Sequence, residues 1–263
     1  MLGAIIGDTV GSIYEFNNIK KTDFVFFGPD VEFTDDSVLT VAVADWLLND
    51  HARSMDGLEK VLVSYTHDYP NPMGAYGSGY LEWVHSSGKR TPYNSCGNGS
   101  AMRASACGWV AQSLNDALEL GKLSAQITHN HPEGIKGAQA VSAAIYMGLH
   151  GSTKEEIRSF IVDMFGYDIM TCDEIRPGYG WGATCQDTVP EAFAAFFDST
   201  DFESAIRLAV SLGGDSDTLA CITGGIAQAF YKDIPQWMID KMVDILPKKF
   251  IDIIEKVDGV SLR

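Results

Sequence analysis

Basic residues are scarce in this chain of 263 residues, and their scarcity excludes whole classes of partner. Lys and Arg together number 19 against 35 Asp and Glu, which gives a formal net charge of −16 at pH 7. Such an excess of carboxylates repels both nucleic-acid phosphates and anionic lipid headgroups. We therefore expect no nucleic-acid partner and no membrane partner.

Long apolar runs and closely paired cysteines are also lacking. No stretch is long and apolar enough to span a bilayer. Residues 1–12 carry no basic residue and reach Asp8 early, which is unlike a signal peptide. The cysteines are odd in number and show no CxxC spacing: Cys96, Cys107, Cys172, Cys185 and Cys221. We expect reduced thiols in a cytoplasmic protein, with neither a disulfide framework nor a zinc site.

Strand signals are sparse, and the best of them is the short run FVFF at residues 24–27. Apolar residues at helical spacing dominate instead. They predict helices over residues 36–48, 58–65, 98–110, 113–127, 134–149, 152–165, 190–197, 202–212, 216–230, 235–245 and 247–257. Loops are expected at 66–79 and 173–182, and no Gly-, Ser- or Pro-rich linker divides the chain. The pattern predicts one compact all-α domain over residues 1–263.

Two clusters of acids and hydroxyls stand at predicted helix starts. Thr34, Asp35 and Asp36 precede one helix, and the segment 213–218 (GGDSDT) precedes another. Adjacent carboxylates repel each other unless a cation or a proton offsets the repulsion. A ligand set made only of oxygen suits Mg²⁺, Mn²⁺ or Ca²⁺ better than zinc. Ordinary N-caps would explain either cluster alone, whereas both together predict a binuclear metal site.

Two further segments are polar. Residues 93–103 (YNSCGNGSAMR) place glycines ahead of a predicted helix, where exposed backbone N–H groups can bind phosphate. The spacing matches neither the P-loop nor the dinucleotide fingerprint, and an ordinary turn is the alternative. In residues 127–133 (ITHNHPE), His129 is expected to hydrogen-bond a substrate or to serve as a structural histidine. Glu15 follows a helix of small residues, where a lone glutamate usually faces solvent.

Taken in order, these motifs resemble those of the ADP-ribosylglycohydrolases. The motifs are Gly7-Asp8-x-x-Gly11-Ser12, Thr34-Asp35-Asp36, Ser95-x-Gly97-Asn98-Gly99-Ser100-Ala101-Met102-Arg103, Thr128-His129 and Gly213-Gly214-Asp215-Ser216-Asp217-Thr218. The similarity extends from about residue 3 to about residue 245. Each motif is weak alone, but five in order are specific. The resemblance implies an orthogonal helical bundle that holds two Mg²⁺ or Mn²⁺ ions at helix N-termini.

The resemblance also assigns roles to residues. It implies metal ligands at Thr34, Asp35, Asp36, Asp215, Asp217 and Thr218. It implies that Ser95, Cys96, Gly97, Asn98, Gly99 and His129 bind the diphosphate and distal ribose. Glu15 matches a glutamate that activates water in some members, so Glu15 and Asp36 are the expected catalytic acids. Apart from the resemblance, the aromatic residues of the two expected loops, Tyr76, Tyr179 and Trp181, are candidate contacts for adenine or for the acceptor, with ordinary packing as the alternative.

The expected reaction is metal-dependent release of ADP-ribose from a modified protein side chain or a small conjugate. Two alternatives stay open, namely a module that binds ADP-ribose without turnover and a hard-metal phosphoesterase that cleaves the diphosphate. The sequence does not specify the bond acceptor, because arginine, serine and O-acetyl linkages all fit it. We expect a monomer.

Overall fold

A computed structural model describes residues 1–262, and its regular structure is helical. The helices are α1 (Leu2–Gly11), α2 (Asp35–Asn49), α3 (Met55–Asp68), α4 (Ser78–Val84), α5 (Gly99–Met102), α6 (Ser105–Val110), α7 (Leu114–Gln126), α8 (Pro132–Leu149), α9 (Lys154–Phe165), α10 (Cys172–Ile175), α11 (Cys185–Asp198), α12 (Phe202–Leu212), α13 (Ser216–Tyr231), α14 (Gln236–Ile245) and α15 (Lys248–Asp258). A short 3₁₀ turn, Ser12–Tyr14, follows α1. The all-α prediction is confirmed.

Helix boundaries follow the capping chemistry of the sequence. Thr153 accepts a hydrogen bond from the backbone of Glu156, and the Glu156 carboxylate accepts one from the backbone of Thr153. This capping box satisfies two backbone donors that would otherwise lack partners at the start of α9. The helix α12 has the predicted bounds, and Pro235 and Pro247 stand immediately before α14 and α15.

The best strand candidate in the sequence, residues 24–27, forms no strand. In the described chain this segment is irregular, and Phe26 packs edge-on against Phe27 and Trp237. The run of aromatics therefore reflects packing onto neighbouring helices, and sheet pairing plays no part in it. The single helix predicted over 98–110 is also divided, because α5 ends at Met102 and α6 begins at Ser105. Parts of both predicted loops are helical, in α3, α4 and α10.

The crossing of α1 with α13 organises the core. Every residue of α1 is buried, and so are nearly all of α13. The two backbones touch through glycines, since a Cβ on Gly7 would overlap the carbonyl oxygen of Ala220 and one on Gly3 would overlap that of Gly224. A Cβ on Gly11 would likewise overlap the backbone of Asp217. The close crossing thus fixes the C-terminal end of α1 against the N-terminal end of α13.

The buried apolar side chains form one continuous cluster that draws on both ends of the chain, from Leu2 in α1 to Ile254 in α15. Across residues 1–262, no helix combines the length and the apolar character needed to cross a membrane.

Candidate active site

Asp8 organises the N-terminus of α2 from the neighbouring helix α1. Its carboxylate is fully buried and accepts hydrogen bonds from the backbone N–H and the hydroxyl of Thr34, at 2.9 and 2.6 Å. It also accepts from the backbone N–H and the hydroxyl of Ser37. The Thr34 hydroxyl in turn accepts from the backbone N–H of Asp36 and so caps α2. Asp8 therefore fixes the turn that carries Asp35 and Asp36.

Three acids from the two ends of the chain converge beside this turn. Carboxylate oxygens of Glu15, Asp215 and Asp217 lie within 4.8 Å of one another, and all three residues are buried. Glu15 follows the 3₁₀ turn after α1, whereas Asp215 and Asp217 belong to the start of α13. The crossing of α1 with α13 therefore builds the cluster. Residues 213 and 214, glycines with φ of 74° and 69°, supply the left-handed backbone that leads into it.

Burial, together with repulsion between neighbouring groups, opposes ionisation of the carboxylates in this region. Burial raises the pKa of Glu15 to about 7, with nearby Asp215 and Asp8 adding to the rise. Burial and neighbouring carboxylates raise the pKa values of Asp35, Asp36 and Asp217 well above the usual range. The pKa of Asp8 rises to about 6, again by burial, although its four hydrogen bonds oppose the shift. So many buried acids need positive charge nearby to ionise together.

The polar atoms left without partners show where such charge would fit. Glu15 Oε2, Asp36 Oδ2 and Asp217 Oδ1 are buried and have no hydrogen-bond partner. Native proteins rarely leave buried carboxylate oxygens unpaired. The available donors are all oxygens, which is the donor set that hard divalent cations prefer. The residues present therefore fit divalent metal ions.

A cavity of about 500 Å³ opens over the acids. Its wall combines the carboxylates with aromatic side chains and with backbone of two glycine-containing segments. The lining residues are Glu15, Phe16, Asp35, Asp36, Leu39, Gly74, Ala75, Tyr76, Gly77, Ser78, Gly79, Tyr80, Tyr93, Ser95, Gly97, Asn98, Gly99, Met102, Arg103, His129, Trp181, Ala183, Asp215, Asp217 and Thr218. At the mouth, the exposed rings of Phe16 and Trp181 stack with centroids 5.7 Å apart.

The glycine-containing loop before α5 is tied to the acids by Asn98. Its amide donates to Asp215 Oδ2 at 2.8 Å and to the Thr188 hydroxyl at 3.1 Å. Two backbone N–H groups expected to face phosphate have partners within the chain, because Gly97 donates to Ser95 Oγ and Asn98 donates to Ala183 O. The loop thus holds Asp215 in place, and fewer of its N–H groups are free for a ligand than the sequence indicates.

His129 closes another side of the cavity. It is 5% exposed, and its Nδ1 lies 2.7 Å from the hydroxyl of Thr128. Burial and the nearby Arg103 guanidinium lower the pKa of His129 well below its usual range. His131, two residues on, caps α8 by accepting from the backbone N–H of Glu133. The pair of histidines therefore does not face one common ion.

Most of the residues that the sequence analysis assigned to the site as ligands, catalytic groups or contacts line this cavity, and three of them do not. Thr34 lies beneath the wall, bonded to Asp8, and Cys96 contributes its carbonyl to the backbone N–H of Cys185. The Tyr179 hydroxyl donates to the carbonyl of Asp187. Sequence reasoning assigned no role to Asp8 or Arg103, although both belong to its motifs. The signal that could have found them is a charged residue inside an otherwise small or apolar helical segment.

Comparison with known proteins identifies a family for the chain. A sequence profile of the family described as ADP-ribosylglycohydrolase matches residues 1–261. The chain belongs to the ADP-ribosylglycohydrolase family. The resemblance inferred from the ordered motifs is confirmed.

Relatives within the family differ in the names they carry. The chain is 27% identical to the ADP-ribosylarginine hydrolase Tri1 of Pseudomonas putida, over 99% of this chain and 79% of that protein. It is 25% identical to the ADP-ribosylhydrolase ARH3 of Mus musculus, over 88% and 82% of the two chains. A solved structure described as an ADP-ribosylglycohydrolase-related protein complex superposes with a TM-score of 0.73 at 21% identity, covering 99% and 93% of the chains. This last likeness supports the fold.

Proposed function

We propose that this chain is a divalent-metal-dependent hydrolase that cleaves the glycosidic bond between ADP-ribose and a modified protein side chain or a small conjugate. The observation that carries the proposal is the convergence of Glu15, Asp215 and Asp217 within 4.8 Å, on the wall of a cavity that also contains Asp35 and Asp36. Membership of the ADP-ribosylglycohydrolase family supports it. The names of Tri1 and ARH3 support ADP-ribose conjugates as the substrate class.

Two ions, Mg²⁺ or Mn²⁺, are the proposed cofactors, and the unpartnered oxygens of Glu15, Asp36 and Asp217 support them. The proposed ligands are Thr34, Asp35, Asp36, Asp215, Asp217 and Thr218. When bound, such ions act as Lewis acids that lower the pKa of water and orient hydroxyl oxygens. Thr34 would contribute through a lone pair of its hydroxyl, because the hydroxyl proton already goes to Asp8.

The chain's own carboxylates account for the proton and charge steps. Glu15 and Asp36 are the proposed catalytic acids, and each has a buried oxygen with no partner. A carboxylate in that state can accept a proton from an attacking water. The transition state of glycosidic cleavage has oxocarbenium character, which nearby carboxylates stabilise. Burial strengthens this electrostatic effect because little water screens it.

Ser95, Cys96, Gly97, Asn98 and Gly99, together with His129, are the proposed contacts for the diphosphate and distal ribose. Ser95, Gly97, Gly99 and His129 line the cavity directly. Asn98 lines it too and holds Asp215 through its amide. Cys96 is the weakest member of this set on geometry, because its carbonyl already accepts from Cys185.

The first test measures how the proposed metal ligands contribute to turnover. Asp35→Ala and Asp217→Ala should each lower Mg²⁺-dependent release of ADP-ribose at least roughly a hundredfold, since each removes a carboxylate from the proposed metal set. Asp163→Ala, which changes an exposed acid of α9, is the matched control and should retain full activity. Chelation with EDTA should abolish the reaction, and added Mg²⁺ or Mn²⁺ should restore it. Full activity in both site variants would refute the proposed metal site.

The same assay should cover arginine-, serine- and acetyl-linked ADP-ribose, because the geometry does not select among these acceptors. Saturable binding of ADP-ribose without turnover on any linkage would favour a binding module. Release of AMP would favour a phosphoesterase.

A further inference from the structure

Arg103 is a buried cation without an acidic partner. It is 0% exposed, and no ion pair in residues 1–262 includes it. One guanidinium nitrogen, Nη2, donates to the carbonyl of Ser124 and to the hydroxyl of Thr128, both at 2.8 Å. Its Nε and Nη1 are buried and have no partner. A buried charge without a partner lowers the stability of the fold because it loses its hydration. We therefore expect Arg103 to have a function beside the cavity.

Thr128 links this cation to His129. The Thr128 hydroxyl is fully buried and lies 2.8 Å from Arg103 Nη2 and 2.7 Å from His129 Nδ1. Arginine can only donate, so the hydroxyl oxygen must accept from it. The single hydroxyl proton is then free to be donated, and His129 Nδ1 is the acceptor within reach. If Nδ1 carried a proton instead, the hydroxyl would accept twice and its own proton would be buried without a partner.

The chain of donors therefore specifies one tautomer of His129. With Nδ1 as acceptor, the ring of a neutral histidine must carry its proton on Nε2. Burial and the positive charge of Arg103 lower the pKa of His129, so the ring stays neutral at physiological pH. A neutral ring with a fixed tautomer offers the cavity one N–H donor and no acceptor.

The glycines of the facing loop show where this donor points. A Cβ on Gly99 would lie 3.3 Å from His129 Nε2, and one on Gly97 would lie 3.5 Å from it. Both glycines line the cavity, and within the described chain Nε2 has no hydrogen-bond partner. The lack of side chains at these two positions leaves room beside Nε2 for a ligand atom.

We propose that Thr128 and Arg103 are positioning residues that hold His129 with its proton on Nε2, so that the ring donates a hydrogen bond to a phosphate oxygen of the ligand. The proposal rests on the proposed function, since it takes the ligand to contain the diphosphate of ADP-ribose. Glu15 and Asp217 line the cavity as acids, whereas His129 and Arg103 line it as a hydrogen-bond donor and a cation. A diphosphate is favoured beside His129, because the Nε2 proton and the positive charge of Arg103 both attract phosphate oxygens.

The test reads the tautomer and the binding of ADP-ribose separately. Protein labelled with ¹⁵N-histidine contains six histidines, and His129→Gln identifies the signals of His129. Long-range ¹H–¹⁵N spectra then report which ring nitrogen carries the proton. Thr128→Val removes the hydroxyl at nearly constant volume, and Thr128→Ser keeps it as the matched control. Circular dichroism melting checks that each variant is folded.

In the wild type we expect a protonated Nε2 and an unprotonated Nδ1 from pH 8 to about pH 6, below the ordinary pKa of histidine. Thr128→Val should give a mixture of tautomers and raise the Kd for ADP-ribose about tenfold, whereas Thr128→Ser should match the wild type in both. Starting from His129→Gln, the further change Thr128→Val should alter the Kd less than about twofold, because Thr128 acts through His129.

Three results would overturn the inference. The first is a proton on Nδ1 in the wild type. The second is an unchanged tautomer in Thr128→Val. The third is a full tenfold loss on adding Thr128→Val to His129→Gln. If the wild type bound no ADP-ribose, the proposed function and the phosphate assignment would both fail, while the spectra would still decide the tautomer.

Discussion

At the scale of single residues, Asp8 positions other residues of the site without being part of the metal or substrate contacts proposed for it. It does not line the cavity, yet its carboxylate accepts four hydrogen bonds from Thr34 and Ser37. Two of these donors are backbone N–H groups at the start of α2, and one is the hydroxyl of a proposed metal ligand. Asp8 thus sets the position of the turn that contains Asp35 and Asp36.

Asp8→Asn should therefore reduce both stability and metal binding. The new amide would turn an N–H group toward donors, so we expect a loss of roughly 2–4 kcal/mol in the free energy of unfolding. Urea denaturation measures this loss, and calorimetric titration with Mn²⁺ measures the affinity for the metal. Ser37→Ala, which removes one of the four donors, should cost about 1 kcal/mol. A free energy of unfolding for Asp8→Asn within about 1 kcal/mol of the wild-type value would contradict this role.

The sequence predicts residues of the site where a local pattern exists, and it fails where partners are distant. The acids and hydroxyls at the starts of α2 and α13 stand out because such residues are unusual at that density. Glu15 could be placed only by resemblance, since its neighbours Asp215 and Asp217 lie two hundred residues away. Asn98 was expected at the diphosphate, but its amide bonds to Asp215, a contact 117 positions apart that no local pattern reveals.

At the scale of elements, the crossing of α1 with α13 determines whether the site forms. Gly7 and Gly3 allow the two backbones to touch, and Gly11 brings α1 against Asp217. The presence of most helices and the residues that cap them could be predicted from the sequence, because capping residues such as Thr153 act within one helical turn. The aromatic run 24–27 was the best strand candidate in the sequence, yet it forms no strand. β-Propensity reflects packing on a half-buried surface, and Phe26 finds such packing against Trp237.

Gly7→Ala should destabilise the fold although alanine favours helices. The added methyl would overlap the carbonyl of Ala220, and overpacking of this kind costs roughly 1–3 kcal/mol or more. Gly225→Ala in α13 is the matched control, because the nearest atom to its Cβ would be the Ser105 hydroxyl oxygen at 3.1 Å. It should change the free energy of unfolding by less than about 1 kcal/mol. Equal effects in the two variants, measured by urea denaturation, would show that the crossing is not tight.

Glu191 in α11 makes stability depend on pH. Burial raises its pKa to about 7, and its Oε2 has no partner. The folded state therefore binds a proton more tightly than the unfolded state, whose glutamate titrates near its ordinary value of about 4.3. The contribution of this proton to the free energy of unfolding is fully present below about pH 4.3. It is lost as the pH rises through about 7.

Glu191→Gln should accordingly gain stability relative to the wild type at pH 8 but not at pH 4.5. We expect a differential gain on the order of 1–2 kcal/mol, reduced from the full shift because the group is partly exposed to screening water. Denaturant unfolding at the two pH values measures it. If the difference in free energy of unfolding between the wild type and Glu191→Gln were the same at both pH values, the role of burial would be contradicted.

At the scale of the whole molecule, the net charge of −16 and an anionic ligand are compatible. Two bound divalent ions would bring the formal charge to −12, and the carboxylates concerned are grouped at two helix starts. Arg103 and His129 line the same cavity. We propose one domain and a monomer, which predict a single cooperative unfolding transition and the mass of one chain in solution. The overall charge therefore argues against binding of extended polyanions such as nucleic acids, and it does not exclude binding of a diphosphate.

The mass of the product tests the central claim most directly. The protein is incubated with Mg²⁺ and a panel of arginine-, serine- and acetyl-linked ADP-ribose conjugates, with Asp217→Ala as the control, and the released nucleotide is analysed by mass spectrometry. We expect free ADP-ribose from at least one conjugate and almost none from the variant. AMP as the product, or bound ADP-ribose with no turnover of any conjugate, would contradict it.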